Sequence, residues 1–119
     1  KWGGFCKDIE YFDNDYFNIS EQEAIVMDPQ QKICLEQAIH AIEDSGYAIS
    51  NLSGKNIGVF IGARQGDYHY KVEKNGLNNR PYSFMGSDTA IVSARISYLL
   101  NLKGPCMTID TACSSSMTA

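Results

Sequence analysis

The chain has 119 residues, 44% of them apolar and 20% charged, which is the composition of a globular domain and not of a disordered tail. Its net charge of −4 argues against a nucleic-acid footprint and against an anionic membrane surface as partner. No apolar run is long enough to read as a membrane span.

The first segment, "KWGGFCKDIE", has no apolar signal stretch and does not begin with Met, so the chain is expected to be an internal piece of something longer. Tyr11, Phe12, Tyr16 and Phe17 alternate with Asp13, Asn14 and Asp15, a pattern that predicts a packed loop with a short turn. Ser20 to Glu23 has capping-box spacing and predicts a short helix. Asp28 then reads as a second N-cap, with Pro29 at the first helical position and Gln31 at the capping-box position. From there Ile33, Leu35, Ala38, Ile39 and Ile42 mark the apolar side of a helix that runs to about Ser45 and stops at Gly46.

Residues 56–63, "NIGVFIGA", read as a buried strand. Residues 64–84 are polar, with Gly66, Gly76 and Pro81, and read as a long excursion of functional or interface type. A second helix is expected to be capped by Ser87 or Asp88, with Ile91, Ala94, Tyr98 and Leu99 at helical spacing. Gly104-Pro105 punctuates, and "CMTID" follows as a second buried strand. Strand, helix and strand in alternation indicate an α/β layered fold.

Cys113 sits where that strand meets a tight Thr111-Ala112 turn. A helix beginning near Cys113 would make this a nucleophile elbow, with the side chain lifted away from the strand end. Free N–H groups at a helix start would favour the thiolate, and the Cys113 N–H would supply half of an oxyanion hole. The competing reading is a small buried cysteine beside a serine-rich segment. A nucleophilic cysteine also needs a base in reach, and His40 (outer part of a helix) and His69 (polar excursion) both read as solvated residues. The other cysteines, Cys6, Cys34 and Cys106, form no C-x-x-C pair with Cys113 or one another, so no metal site is expected. Free thiols in a reducing, cytoplasmic setting fit this pattern.

Several segments resemble one known family. "KGPCMTI" followed by "DTACSSS" looks like the active-site segment of β-ketoacyl synthases, in the form found in modular type I polyketide synthases. "GGFCKDIEYFDNDYFNIS", "MDPQQKICLEQAIHAIEDSGY", "IGVFIGA" and "ARISYLLNLKGP" resemble further segments of that family, in its order. The resemblance implies a thiolase-like layered α/β fold, of which residues 1–119 would be part of the first half. The first strand and the whole C-terminal half, with both histidine motifs and the lysine, would lie outside these residues. It also implies a homodimer.

By the same resemblance Cys113 is the acyl-accepting nucleophile and its N–H an oxyanion donor. Asp110, Thr111 and Ala112 match the elbow and would hold it structurally. The strand from Cys106 to Asp110 resembles the one that pairs across the dimer twofold. Cys106 itself reads as a buried small residue, with mild oxidation liability as its alternative, and Met117 falls beside the family's pocket. No catalytic histidine is assigned in this chain. The implied activity is decarboxylative Claisen condensation of a Cys113-bound acyl chain with a malonyl-type extender. No cofactor would bind directly, since the substrates ride on the phosphopantetheine of acyl carrier protein. Carrier protein and other polyketide synthase domains would be the partners, with no nucleic acid or membrane. The alternatives are a non-elongating ketosynthase-like domain that only transfers acyl chains, a fatty acid synthase ketosynthase, and a piece inactive when isolated.

Overall fold

Ser20 opens the first regular element of the structure, a computed structural model that describes residues 2–119. Its hydroxyl accepts the Glu23 N–H at 3.2 Å and starts helix α1, Glu21–Val26. The reciprocal half of the expected capping box is absent, because the Glu23 carboxylate instead pairs with Arg95. Helix α2, Pro29–Asp44, begins as the sequence predicts: the Asp28 carboxylate accepts the Gln30 N–H at 2.8 Å, and Pro29 stands at the first helical position. Its end is also as read, with Ser45 as C-cap and Gly46 at φ +81°. Gln31 does not complete a local box; its amide crosses to the segment after residue 84.

Strand β1 is Val59–Gly62, shorter than the expected 56–63. Its partner β2, Cys106–Ile109, lies parallel to it with Val59 opposite Cys106 and Gly62 opposite Ile109. The shortening has a local cause. Pro105 accepts the Val59 N–H but has no N–H of its own to extend the ladder backward. Between the strands, the polar excursion is not a loop: it contains helix α3, Tyr68–Lys74, and helix α4, Ser83–Ser87. Helix α5, Ala90–Leu99, follows, with the Asp88 carboxylate accepting the Ala90 N–H at 2.8 Å. Ser87 is not its cap; that hydroxyl turns back to the Ser83 carbonyl.

Helix α5 packs on α2 and on both strands. The buried cluster combines Phe17, Ile19, Met27, Leu35, Ile39, Val59, Ile96, Leu100 and Leu102. Each such side chain contributes about 1.5–3 kcal/mol through burial. The face of α5 that is buried carries Val92, Ser93 and Ile96, whereas Tyr98 is 84% exposed. Of the residues read at helical spacing, Ile91, Ala94 and Leu99 are half-buried, Leu99 against the core, and Tyr98 is the exception. The helix is apolar around most of its circumference, so spacing alone does not select its most buried face. Neither strand is wholly buried: Phe60 and Met107 are exposed, and so is Cys106. In the N-terminal segment, Phe17 is buried and stacks on Phe12 at 5.0 Å, but Trp2, Phe5 and Tyr11 project into solvent. Only the later part of the predicted loop is packed.

Candidate active site

Strand β2 delivers the chain to Asp110, where the direction changes. The Asp110 carboxylate accepts the Ala112 N–H at 2.9 Å, an Asx-type closure of the turn. Ala112 sits in the left-handed region at φ +54°, which costs an L-residue about 1–2 kcal/mol. A 3-10 turn, Ala112–Ser114, carries Cys113, and helix α6, Ser115–Thr118, follows. The elbow is therefore present, but its α-helix starts two residues later than expected and Cys113 lies in the 3-10 turn.

Hydroxyl groups tie this turn together. Ser115 Oγ accepts the Thr111 N–H at 2.9 Å and donates to the Ala112 carbonyl at 2.7 Å. Ser114 Oγ donates to the Thr111 carbonyl at 2.8 Å and lies 2.9 Å from Thr111 Oγ1. Thr118 Oγ1 donates to the Ser114 carbonyl at 3.0 Å. Thr111 and Asp110 thus occupy structural positions in the turn. Cys113 is exposed, and its backbone N–H donates to no acceptor among the described residues. An exposed thiol beside an unengaged N–H is an arrangement that can receive an electrophilic carbonyl.

Behind the elbow, β2 is anchored to α5. Thr108 Oγ1 donates to Ser93 Oγ at 2.9 Å, and Cys106 Sγ reaches the same oxygen at 3.4 Å. Cys106 is exposed and not the buried small residue expected. Cys34, on α2, is half-buried, and burial pushes its thiol pKa up. That disfavours thiolate there.

His40 is exposed on α2, as read. His69 is not fully solvated: it packs against Tyr70 with ring centroids 3.9 Å apart, and its Nδ1 is buried without a partner. An open hollow of about 470 Å³, lined by Phe12, Lys32, Tyr68 and Lys71 among others, contains no residue of the elbow. Burial lowers the Lys32 pKa there, partly offset by Asp28 and Glu36, and raises that of the Tyr68 hydroxyl. Among the described residues no cluster of His, Cys, Asp and Glu suits a metal ion.

Two elements of the site escaped the sequence reading. The dual role of Ser115 is signalled only by its place four residues after Thr111. The contact of Gly62 with the start of α6 has no local signal.

Comparison with known proteins places this geometry. Residues 1–119 match the β-ketoacyl synthase N-terminal domain family. "Polyketide synthase 37" of Dictyostelium discoideum is 42% identical over 117 residues, covering 98% of this chain and 4% of that protein. "Polyketide synthase PksM" of Bacillus subtilis is 44% identical over 120 residues, covering the whole of this chain and 3% of that protein. Among solved structures, the ketosynthase from module 6 of the bacillaene synthase of Bacillus subtilis 168 superposes with a TM-score of 0.78 at 43% identity, over 97% of this chain and 18% of the other. An oxazolomycin ketosynthase domain of Streptomyces albus JA3453 gives a TM-score of 0.88 at 38% identity, over 100% and 21%. The thiolase-like α/β expectation is borne out, and the chain spans a small part of each relative.

Proposed function

The chain belongs to the β-ketoacyl synthase family, and on that premise we propose that it is part of the first half of a polyketide synthase ketosynthase domain, with Cys113 as the acyl-accepting nucleophile. The observation that carries this is the exposed Cys113 on a hydroxyl-tied turn at the end of β2, its own N–H unengaged. In the proposed reaction the Cys113 thiolate attacks the thioester carbonyl of an acyl chain held on a carrier protein's phosphopantetheine. An S–C bond forms at Cys113, and the phosphopantetheine thiolate leaves and takes up a proton. The Cys113 N–H stabilises the oxyanion of the tetrahedral intermediate.

A malonyl-type thioester on a carrier protein then loses carbon dioxide. The electron pair of the broken C–C bond becomes an enolate, which attacks the Cys113 acyl carbon and expels the Cys113 thiolate. The carrier leaves with a β-ketoacyl thioester. Splitting the condensation this way replaces one difficult step by two easier ones. Asp110, Thr111 and Ala112 hold the elbow and take no part in bond making. Neither His40 nor His69 is assigned to the decarboxylation.

The partners in this reading are an acyl carrier protein, other polyketide synthase domains and a second copy of the ketosynthase. The open edge of β2, where Cys106 and Met107 are exposed, supports pairing with that second copy. A cytoplasmic setting accords with four free thiols. The test is incubation of the protein, expressed from its full open reading frame, with a short acyl thioester of N-acetylcysteamine. One acyl mass increment per Cys113 is expected, absent in Cys113→Ala. An increment that persists in Cys113→Ala would remove the nucleophile from this residue.

A further inference from the structure

We infer that Gly62 and Ser115 form a seat for the Cys113 turn and act as positioning residues for acyl transfer, an inference that rests on the reading of Cys113 as nucleophile. The turn needs such a seat, because left-handed Ala112 holds its place only where its surroundings over-determine it. Ser115 is 6% exposed, and its single hydroxyl bridges the Thr111 N–H to the Ala112 carbonyl. The peptide that enters Thr111 and the peptide that leaves the strained residue are thereby locked to the first residue of α6.

Gly62 supplies the floor. A Cβ at this position would lie 2.6 Å from Ser115 C and Ser116 N and 2.7 Å from Ser115 O. All three are backbone atoms, so no rotamer change clears the clash. The backbone of Gly62 is not left-handed, so conformation does not require a glycine here; the close approach of α6 does. The last residue of β1 is therefore in direct contact with the segment immediately after the nucleophile. Restoring an ordinary contact would move that segment by about 0.8 Å, and misplacement on the order of 1 Å is enough to lower an oriented reaction ~100-fold.

The distinguishing measurement compares two reactions at the same sulfur. Acyl transfer from a short acyl-N-acetylcysteamine requires the thiol and the Cys113 N–H to be placed together; alkylation by iodoacetamide needs only an accessible thiolate. In the protein expressed from its full open reading frame, Gly62→Ala should lower acylation ~100-fold and Ser115→Ala ~10-fold, with alkylation within about 3-fold of the parent. Ser115→Ala adds no atom and keeps the test available should Gly62→Ala fail to fold. Leu35→Ala, in the core, is the control for general loss of stability, and both its rates should stay within about 3-fold of the parent in the folded fraction. Acylation unchanged in both seat variants would overturn the inference and leave the nucleophile reading standing, as would acylation and alkylation falling in parallel. Failure of the parent itself to be acylated at Cys113 would remove both.

Discussion

Two polar clusters in this chain are built on opposite terms. One joins α1, α2, α4 and α5: Gln31, 1% exposed, donates to the carbonyls of Met85 at 2.8 Å and Asp88 at 3.2 Å and accepts from Arg95 Nε at 3.0 Å. Arg95 in turn pairs with Glu23 at 2.5 Å. The other is the elbow at Asp110–Thr118, short-range in sequence, held by hydroxyls and exposed apart from Ser115. The buried cluster ties together segments more than fifty residues apart, and its failure would be felt as loss of the fold. At the elbow, on the proposed role of Cys113, failure would be felt as loss of acyl transfer.

That contrast breaks first at Arg95. Arg95→Ala leaves the Glu23 carboxylate nearly buried and unpaired and should cost about 3 kcal/mol of stability by urea denaturation. Next comes Gln31→Leu, which strands the Met85 and Asp88 carbonyls and the Arg95 Nε–H and should cost about 2 kcal/mol. Removing the α1 cap with Ser20→Ala should cost about 1 kcal/mol in the same assay. Cys113→Ala, the converse case, should change stability by less than about 0.5 kcal/mol while ending acylation. A Cys113→Ala variant as destabilised as Arg95→Ala would erase the distinction between the clusters.

The smallest effect expected is a pH dependence at Lys32. Burial lowers its pKa in the folded state, so over the alkaline range between that value and the ordinary lysine value the unfolded chain binds more protons. Its contribution to stability is therefore present above the ordinary value and lost as pH falls through the folded one. Lys32→Met should flatten the rise in denaturation midpoint across that window. An unchanged slope would show that Lys32 does not titrate differently on folding.

Helix α2 was legible because all its signals are local: Asp28 and Pro29 before it, Gly46 after it, Leu35 and Ile39 along one side. The elbow was legible for a similar reason, with Asp110 closing its own turn onto Ala112. Its left-handed residue was not, since alanine gives no hint of positive φ where glycine would. Gln31 and Glu23 each sit at a capping-box position, but partners remote in sequence outcompete the local N–H, and spacing cannot report them. In α3, Val72 is the single buried residue, leaving almost no periodicity to read, and no side chain caps its start. The exposure of β2 was hidden because an apolar run does not state how much of it the fold covers.

The parallel pairing of β1 with β2 also sets an order of assembly. Strands in this register cannot zip from a tight turn, because residues 63–105 lie between Gly62 and Cys106. Closing so long a loop carries an entropic cost that must be met before any ladder bond forms. The hydrogen bonds within α2 and within α5 are local and need no such closure. In hydrogen exchange during refolding, protection is therefore expected to reach α2 and α5 early and β2 late. The thiol at Cys113 would acquire its surroundings only in the final stage of folding.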